Sequence, residues 1–438
     1  MLDRLIDRCR VKPLHSPTGE VLQVLGLIVE VGGLRAAVGD MLAIETGTST
    51  DLEVEVVGFR AGRLLTTPLG VLSGIRPGAR VRHTHRGAVV TVGDDMLGRI
   101  VDSLGRPLDG GPPFKNATAI PVRRDAPHPF ARDAITKQLY TGVRAIDAFL
   151  PLGGGQRMGI FAGAGVGKST LLGMLCRTSQ ADVNVIGLIG ERGRELNDFV
   201  RNALGPEGLQ RSVIVTATSD QPAVIRSRGA DAATAIAEYY RDQGKSVLLV
   251  MDSLTRYAMA LREAALAAGE PPATKGYPPS VFAALPRLLE RAGTSRGKGV
   301  ITALYTVLVE GDDMADPVAD AVRGILDGHI VLSRRLAERG HFPAVDVLQS
   351  VSRLAPEITT AEQQNWSNSL RDLLAAHRDA EDLIQVGAYV AGSDPRVDKA
   401  RAAMPQLDGF LRQGVRETCT QAQCLTVLRH LAQVHAVR

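Results

Sequence analysis

The sequence predicts an α/β protein in three parts: a small N-terminal β-barrel, a central domain on a mainly parallel sheet, and a helical tail. Three observations carry this. Short β-rich runs separated by turn residues fill the first stretch. Uniformly apolar strands then alternate with helical segments, as a sheet covered on both faces requires. After Thr360 the β signal disappears and apolar residues recur at helical spacing.

Taken in order, Leu2, Leu5, Ile6 and Cys9 fall at helical spacing and predict a short amphipathic helix. That helix docks either on the protein's own first domain or on a partner. The barrel is expected next, from runs such as Val21–Val29, Leu52–Val57 and Arg63–Thr67, with Gly32-Gly33, Gly39-Asp40 and Pro77-Gly78 as turns. Helix and barrel together span 1–90. The stretch 91–139 reads as a turn-laden linker because of Gly105-Arg106-Pro107-Leu108-Asp109-Gly110-Gly111-Pro112-Pro113. The α/β domain is expected over 140–358, with Met158–Phe161 and Val247–Met251 as buried strands, and the helical domain over 359–438.

Bulk composition narrows the class. The chain has 438 residues, 45% hydrophobic and 22% charged, the balance of a folded soluble protein with more than one core. Lysine and arginine number 51 against 47 acids, a net charge of +4, and aromatics are 4%. Neither a basic stripe nor a stacking platform for nucleic acid emerges from those numbers. No apolar stretch is long enough to span a bilayer, and acids mixed among the bases of the first ten residues exclude a secretory signal. Of Cys9, Cys176, Cys419 and Cys424, only the last two are close in sequence, and nothing completes a metal set around them. A cytosolic location is expected.

The chemistry lies in three places. After the strand ending at Phe161 comes Ala162-Gly163-Ala164-Gly165-Val166-Gly167-Lys168-Ser169-Thr170. Its glycines let backbone N–H groups curl around a phosphate, Lys168 brings a cation to the β/γ-phosphates, and the Ser169 hydroxyl can ligate Mg²⁺. The helix that follows adds the positive end of its dipole. Ala162 departs from the commonest pattern, which has glycine there. Second, Val247–Met251 ends in Asp252-Ser253, which places a carboxylate at the sheet edge for the magnesium shell. Third, Gly190-Glu191-Arg192-Gly193-Arg194-Glu195 follows the strand Val183–Ile189. There Glu191 can polarise an attacking water and Glu195 can reach the magnesium shell. The cofactors implied are ATP and Mg²⁺, and the reaction is hydrolysis of the γ-phosphate.

These stretches, with Ala217-Thr218-Ser219-Asp220-Gln221-Pro222, Asp252-Ser253-Leu254-Thr255-Arg256-Tyr257, Gly276-Tyr277-Pro278-Pro279-Ser280, 304–314 and Ile325–Ser333, resemble the type III protein-export ATPases. Those are relatives of the catalytic subunit of rotary ATP synthases. The resemblance runs from about residue 20 to the end, more loosely over the last part, where Gly387-Ala388-Tyr389 and Gly392-Ser393-Asp394-Pro395 still carry it.

The resemblance implies a RecA-like P-loop ATPase domain between the N-terminal β-barrel and the helical C-terminal domain, in a homo-hexamer. It matches Glu191 to the catalytic carboxylate with Arg192 beside it, Lys168 and Ser169 to phosphate and magnesium ligands, and Asp252 to the magnesium-shell acid. Arg256 matches the arginine near that strand end, and Phe342 of His341-Phe342-Pro343-Ala344-Val345-Asp346 the aromatic that stacks on adenine. Arg353 of Gln349-Ser350-Val351-Ser352-Arg353 matches the arginine finger that enters a neighbour's site, and Tyr277-Pro278-Pro279 a loop facing the pore. Implied partners are a linker protein at the N-terminal helix, a coiled-coil stalk in the pore, and chaperones with export substrates on the tail, all peripheral to a membrane export gate. No nucleic acid is expected. A flagellar system leads over a virulence system, on Gly276-Tyr277-Pro278-Pro279, Asp198-Phe199, Ala321-Val322-Arg323-Gly324 and His341-Phe342-Pro343. Glu191 argues against a non-catalytic nucleotide-holding subunit, and the export signatures against a proton-driven synthase.

Overall fold

In the computed structural model residues 17–47, 50–309 and 315–435 are described. The predicted helix Leu2–Cys9 lies outside them. Six antiparallel strands close a barrel: β1 (Thr18–Leu25), β2 (Ile28–Gly32), β3 (Asp40–Ile44), β4 (Leu52–Arg60), β5 (Arg63–Pro68) and β6 (Arg80–Gly87), in the order β1-β2-β5-β4-β3-β6. Val29, Val31, Leu42, Ile44, Val54 and Val81 fill its interior. The apolar run Val21–Val29 is two strands, not one. Gly26, at φ +56°, reverses the chain so that Leu25 pairs with Ile28.

The stretch 91–139 is not a free tether. It continues from β7 (Val89–Val92) into β8 (Ile100–Val101) and β9 (Thr118–Pro121). β8 adds to the main sheet alongside β14 (Ser212–Ala217), with Ile100 opposite Ile214. Met96, Val101, Phe114 and Val122 are buried in the same core as that sheet. The Pro/Gly-rich turns are present, but these single apolar residues between them dock the segment. Strands of two to four residues leave no periodicity to read.

The central sheet runs β19-β18-β12-β17-β15-β13-β14-β8. Its members are β12 (Arg157–Ala162), β13 (Val183–Ile189), β14, β15 (Ser246–Asp252), β17 (Val300–Leu308), β18 (Gly328–Leu332) and the antiparallel edge β19 (Val351–Ser352). Every residue of β13 is buried, as helices on both faces demand. Alternate side chains enter different cores. Ile186, Leu188, Leu248 and Val250 join the helix Lys168–Thr178, and Val185, Val247, Leu249 and Met251 join the helix Ala223–Asp242.

The tail comprises helices Ala361–Gln385, Pro395–Leu411 and Gln421–His435. Thr360 caps the first by accepting from the Gln363 N–H, and Asp394 caps the second by accepting from Arg396 and Val397. Leu370, Leu373, Leu407, Phe410 and Leu428 share one core with Leu171 and Leu172 behind the phosphate loop. Charge also joins the layers. Buried Arg291 makes a two-pronged pair with Glu238 (3.0 and 2.9 Å), while Arg123 bridges Glu55 of the barrel (2.9 Å) and Asp231 (3.4 Å). Among the described residues no helix is long and apolar enough to cross a membrane.

Candidate active site

β12 delivers Ala162 to the carboxyl edge of the sheet, and the helix Lys168–Thr178 begins after a five-residue loop. Between them the loop turns back through left-handed Gly165 (φ +77°) and Gly167 (φ +88°), conformations that a side chain disfavours. Ala162, Gly163 and Val166 are buried, so the loop is pinned at both ends while Ala164 and Gly165 face solvent. Lys168, Ser169 and Thr170 open the helix at the positive end of its dipole. Small size at position 162 is a packing requirement, since that residue is 1% exposed.

Opposite the loop, β15 ends in Asp252, whose side chain is 5% exposed and forms an ion pair with the Lys168 ammonium. Thr306 of β17, the strand between β12 and β15, donates its hydroxyl to the same carboxylate oxygen at 2.7 Å. Sequence reasoning gave Thr306 no role. The signal was there, a hydroxyl in the apolar run of a buried parallel strand. Ser253 follows and caps the helix Leu254–Ala267, accepting from the Arg256 N–H.

β13 lies beside β15, with Leu188 opposite Asp252, so Glu191 emerges just beyond Asp252 at the same edge. Gly190, at φ +71°, makes the exit turn, and a Cβ there would sit 2.9 Å from that of Arg256. The Glu191 carbonyl is held by the Ser219 N–H (3.1 Å). Burial, and then the charge of Asp252, push the Glu191 carboxyl from its ordinary 4.5 up to about 7, against the pull of Lys168. A carboxylate with that acidity is poised to accept a proton near neutral pH. Glu191 Oε1 and Arg256 Nε are both buried with no hydrogen-bond partner among the described residues. Beside a phosphate loop the Arg256 Nε–H suits a phosphate oxygen as acceptor, and Glu191 Oε1 suits a water that donates to it.

Ser169, Glu191, Arg192, Glu195 and Asp252 line one cleft of about 460 Å³. Its donors are a hydroxyl and carboxylates, the hard oxygens that Mg²⁺ prefers. Glu195 stands in the first turn of the helix Gly193–Asp198, half exposed and 3.7 Å from Arg192, whose guanidinium is largely in solvent. The Phe342 ring lies over the phosphate loop, 3.4 Å from where a Cβ on Gly167 would be, and stays 44% exposed. The structure thus gathers Lys168, Ser169, Glu191, Glu195, Asp252, Arg256 and Phe342 around one edge.

Arg353 is elsewhere. It follows β19, its N–H donates to the Asp327 carbonyl, and β19 pairs with the first residues of β18. The phosphate loop leaves the other end of the neighbouring strand, since Leu332 stands opposite Ala162. Four steps along β18 separate those ends, about 13 Å before the loop itself is counted. The exposed Arg353 guanidinium touches only the Arg323 carbonyl, at 3.5 Å, among the described residues. Tyr277 is buried against Phe282, with Arg262 over its ring at 4.8 Å.

Known proteins resemble this chain over nearly its whole length. Residues 142–352 match the ATP synthase alpha/beta family, nucleotide-binding domain, and residues 359–430 match the T3SS EscN ATPase C-terminal domain. The chain is 50% identical to the flagellum-specific ATP synthase of Salmonella typhimurium, across 98% of this chain and 96% of that protein. It is 48% identical to the flagellum-specific ATP synthase of Bacillus subtilis, across 98% of each. It is 48% identical to the type 3 secretion system ATPase of Xanthomonas euvesicatoria, across 94% and 93%. The assembled ATPase EscN of the enteropathogenic E. coli type III secretion system superposes with a TM-score of 0.89 at 42% identity, over 94% of this chain and 99% of that one.

Proposed function

This chain belongs to the ATP synthase alpha/beta family, among its flagellar and type III secretion ATPases, and on that premise we propose how it hydrolyses ATP to energise protein export. The loop 162–170 binds the phosphates and Lys168 leaves Asp252 for the β/γ-phosphate oxygens. Ser169, with Asp252 and Glu195 around it, would hold a Mg²⁺ ion, which would supply charge neutralisation to the phosphates. Glu191 accepts a proton from the attacking water, Arg192 lies beside it, and Arg256 stabilises charge at the same edge. Adenine stacks on Phe342. Arg353, too far from its own loop, completes the site of the next copy, so the working form is a ring, a homo-hexamer.

The single observation that carries this reading is the split of the site. Lys168, Asp252 and Glu191 converge at the carboxyl edge of the sheet, and Arg353 stands at the opposite end. Mg²⁺-dependent ATPase rate measured against protein concentration tests it. Specific activity rises with concentration and collapses in Arg353→Ala; a flat profile with an active variant contradicts it.

We assign the chain to a flagellar export system, peripherally associated with the inner-membrane export apparatus from the cytoplasmic side. In support, the flagellar relatives from Pseudomonas aeruginosa and Salmonella typhimurium are 51% and 50% identical, against 48% for the secretion relatives, although the flagellar relative of Borreliella burgdorferi is 46% identical. A stalk protein in the pore is proposed from EscN, which has been solved with its central stalk EscO. The remaining partners, a linker protein at the N-terminal helix and chaperones with export substrates on the tail, rest on the family resemblance. Deleting the gene abolishes motility on this reading; intact motility with lost effector secretion shows the virulence alternative.

A further inference from the structure

Phe342 belongs to the ATPase domain, where His341 and Ala344 are hydrogen-bonded to Leu336 and Ser333, yet its own carbonyl is held from the tail. After the helix Pro395–Leu411 the chain crosses beneath the phosphate-loop domain, and the Gln413 N–H donates to the Phe342 carbonyl at 2.9 Å. The Gln413 residue is 5% exposed. Its amide oxygen accepts from the Arg144 N–H (2.9 Å), and its amide nitrogen donates to the Gly142 carbonyl (2.7 Å) and the Glu417 carbonyl (3.0 Å). Gly142 follows Thr141, whose carbonyl accepts from the Thr178 hydroxyl at the far end of the phosphate-loop helix. One buried amide therefore ties the segment Gly142–Arg144 to the crossing loop, while the same residue's backbone N–H holds Phe342. Arg144 grips the same loop through the carbonyls of Phe410 (2.7 Å) and Arg412 and the carboxylate of Glu417.

We propose that Gln413 is a positioning residue for the nucleotide base: it fixes the distance between the Phe342 ring and the phosphate loop, and so couples the helical tail to base recognition. This rests on Phe342 as the base-stacking residue. The phosphate loop is built by β12 and its helix without Gln413, so the consequence is selective. Loosening Gln413 weakens binding of the base and leaves binding of the phosphates intact. A side chain that only supported the fold would weaken both.

The test uses the full chain, assembled at saturating concentration, and compares Gln413→Ala, the similar-sized Gln413→Met and Phe342→Ala. Readouts are KM and kcat for ATP, and the inhibition constant of tripolyphosphate, which carries the phosphates without a base. Both Gln413 variants are expected to raise the ATP KM about tenfold, the scale of a lost buried hydrogen-bond anchor. They change kcat by less than about twofold and leave tripolyphosphate inhibition unchanged, on the scale of the same anchor. Phe342→Ala moves the same quantities in the same direction. An ATP KM that rises for Phe342→Ala but stays put in both Gln413 variants overturns the inference and spares the stacking assignment. Tripolyphosphate binding weakened in step with ATP overturns it as well, because Gln413 then serves the whole site. A Phe342→Ala protein with unaltered ATP KM removes the stacking assignment, and the inference falls with it.

Discussion

Replacing Glu191 with glutamine should destroy hydrolysis and stabilise the fold, and the two effects have one cause. The carboxyl is lifted from its ordinary 4.5 to about 7, first by burial and second by the charge of Asp252. A raised acidity constant means that the folded state favours the protonated form, so this group's stabilising contribution is complete below pH 4.5 and disappears as pH rises through 7. At about pH 8 the wild type therefore carries an ionised carboxylate that the unfolded chain solvates better. Ten-fold in acidity corresponds to about 1.4 kcal/mol, so the full cost approaches about 3 kcal/mol, and partial access of water reduces it to about 1–2 kcal/mol. The glutamine side chain has no such charge. Denaturant melts of nucleotide-free Glu191→Gln against wild type, at about pH 8 and again at about pH 4.5, read the difference. The variant should be more stable at the higher pH, with the gain shrinking toward zero at the lower one. A variant less stable at the higher pH, or equally stabilised at both values, refutes the placement of Glu191 as a desolvated base.

Three further outcomes rest on the same geometry. The kcat/KM of the wild type should fall about tenfold per pH unit below about pH 7 as Glu191 takes up its proton, a limb absent from the residual activity of Glu191→Gln. Lys168→Ala should abolish turnover and, without nucleotide, cost about 2–4 kcal/mol in a denaturant melt, because Asp252 is left buried and unpaired; an unchanged midpoint contradicts the pair. Arg291→Ala should cost about 3–5 kcal/mol, since it takes the two-pronged partner from buried Glu238 and leaves Asp231 with Arg123 alone, and a loss below about 1 kcal/mol would show that water or the remaining arginines compensate.

The phosphate loop, the Asp252 strand end and Glu191 were legible because each is local: an apolar strand, a short run of special residues, and a helix or turn. Legibility failed where the determinant was distant or aperiodic. The docking of β8 hangs on Met96, Val101 and Phe114, scattered among prolines and glycines. The β1–β2 reversal hides in a continuous apolar run, with only Gly26 to mark it. Gln413 meets Arg144 across 269 residues, and no spacing rule reaches that far. Arg353 was named by resemblance alone, and its distance from its own phosphate loop is a property of the strand register.

Arg353 stands too far from its own phosphate loop to serve it, so on the proposed mechanism every active site is the joint property of two copies. The most direct test mixes two inactive variants. Glu191→Gln lacks the base but offers an intact Arg353, and Arg353→Ala lacks the finger but keeps its base. Co-assembled in equal amounts, neighbours pair productively at roughly a quarter of the interfaces, so activity should return to roughly a quarter of wild type. A mixture no more active than the two variants measured separately would mean that Arg353 does not act in the neighbouring site.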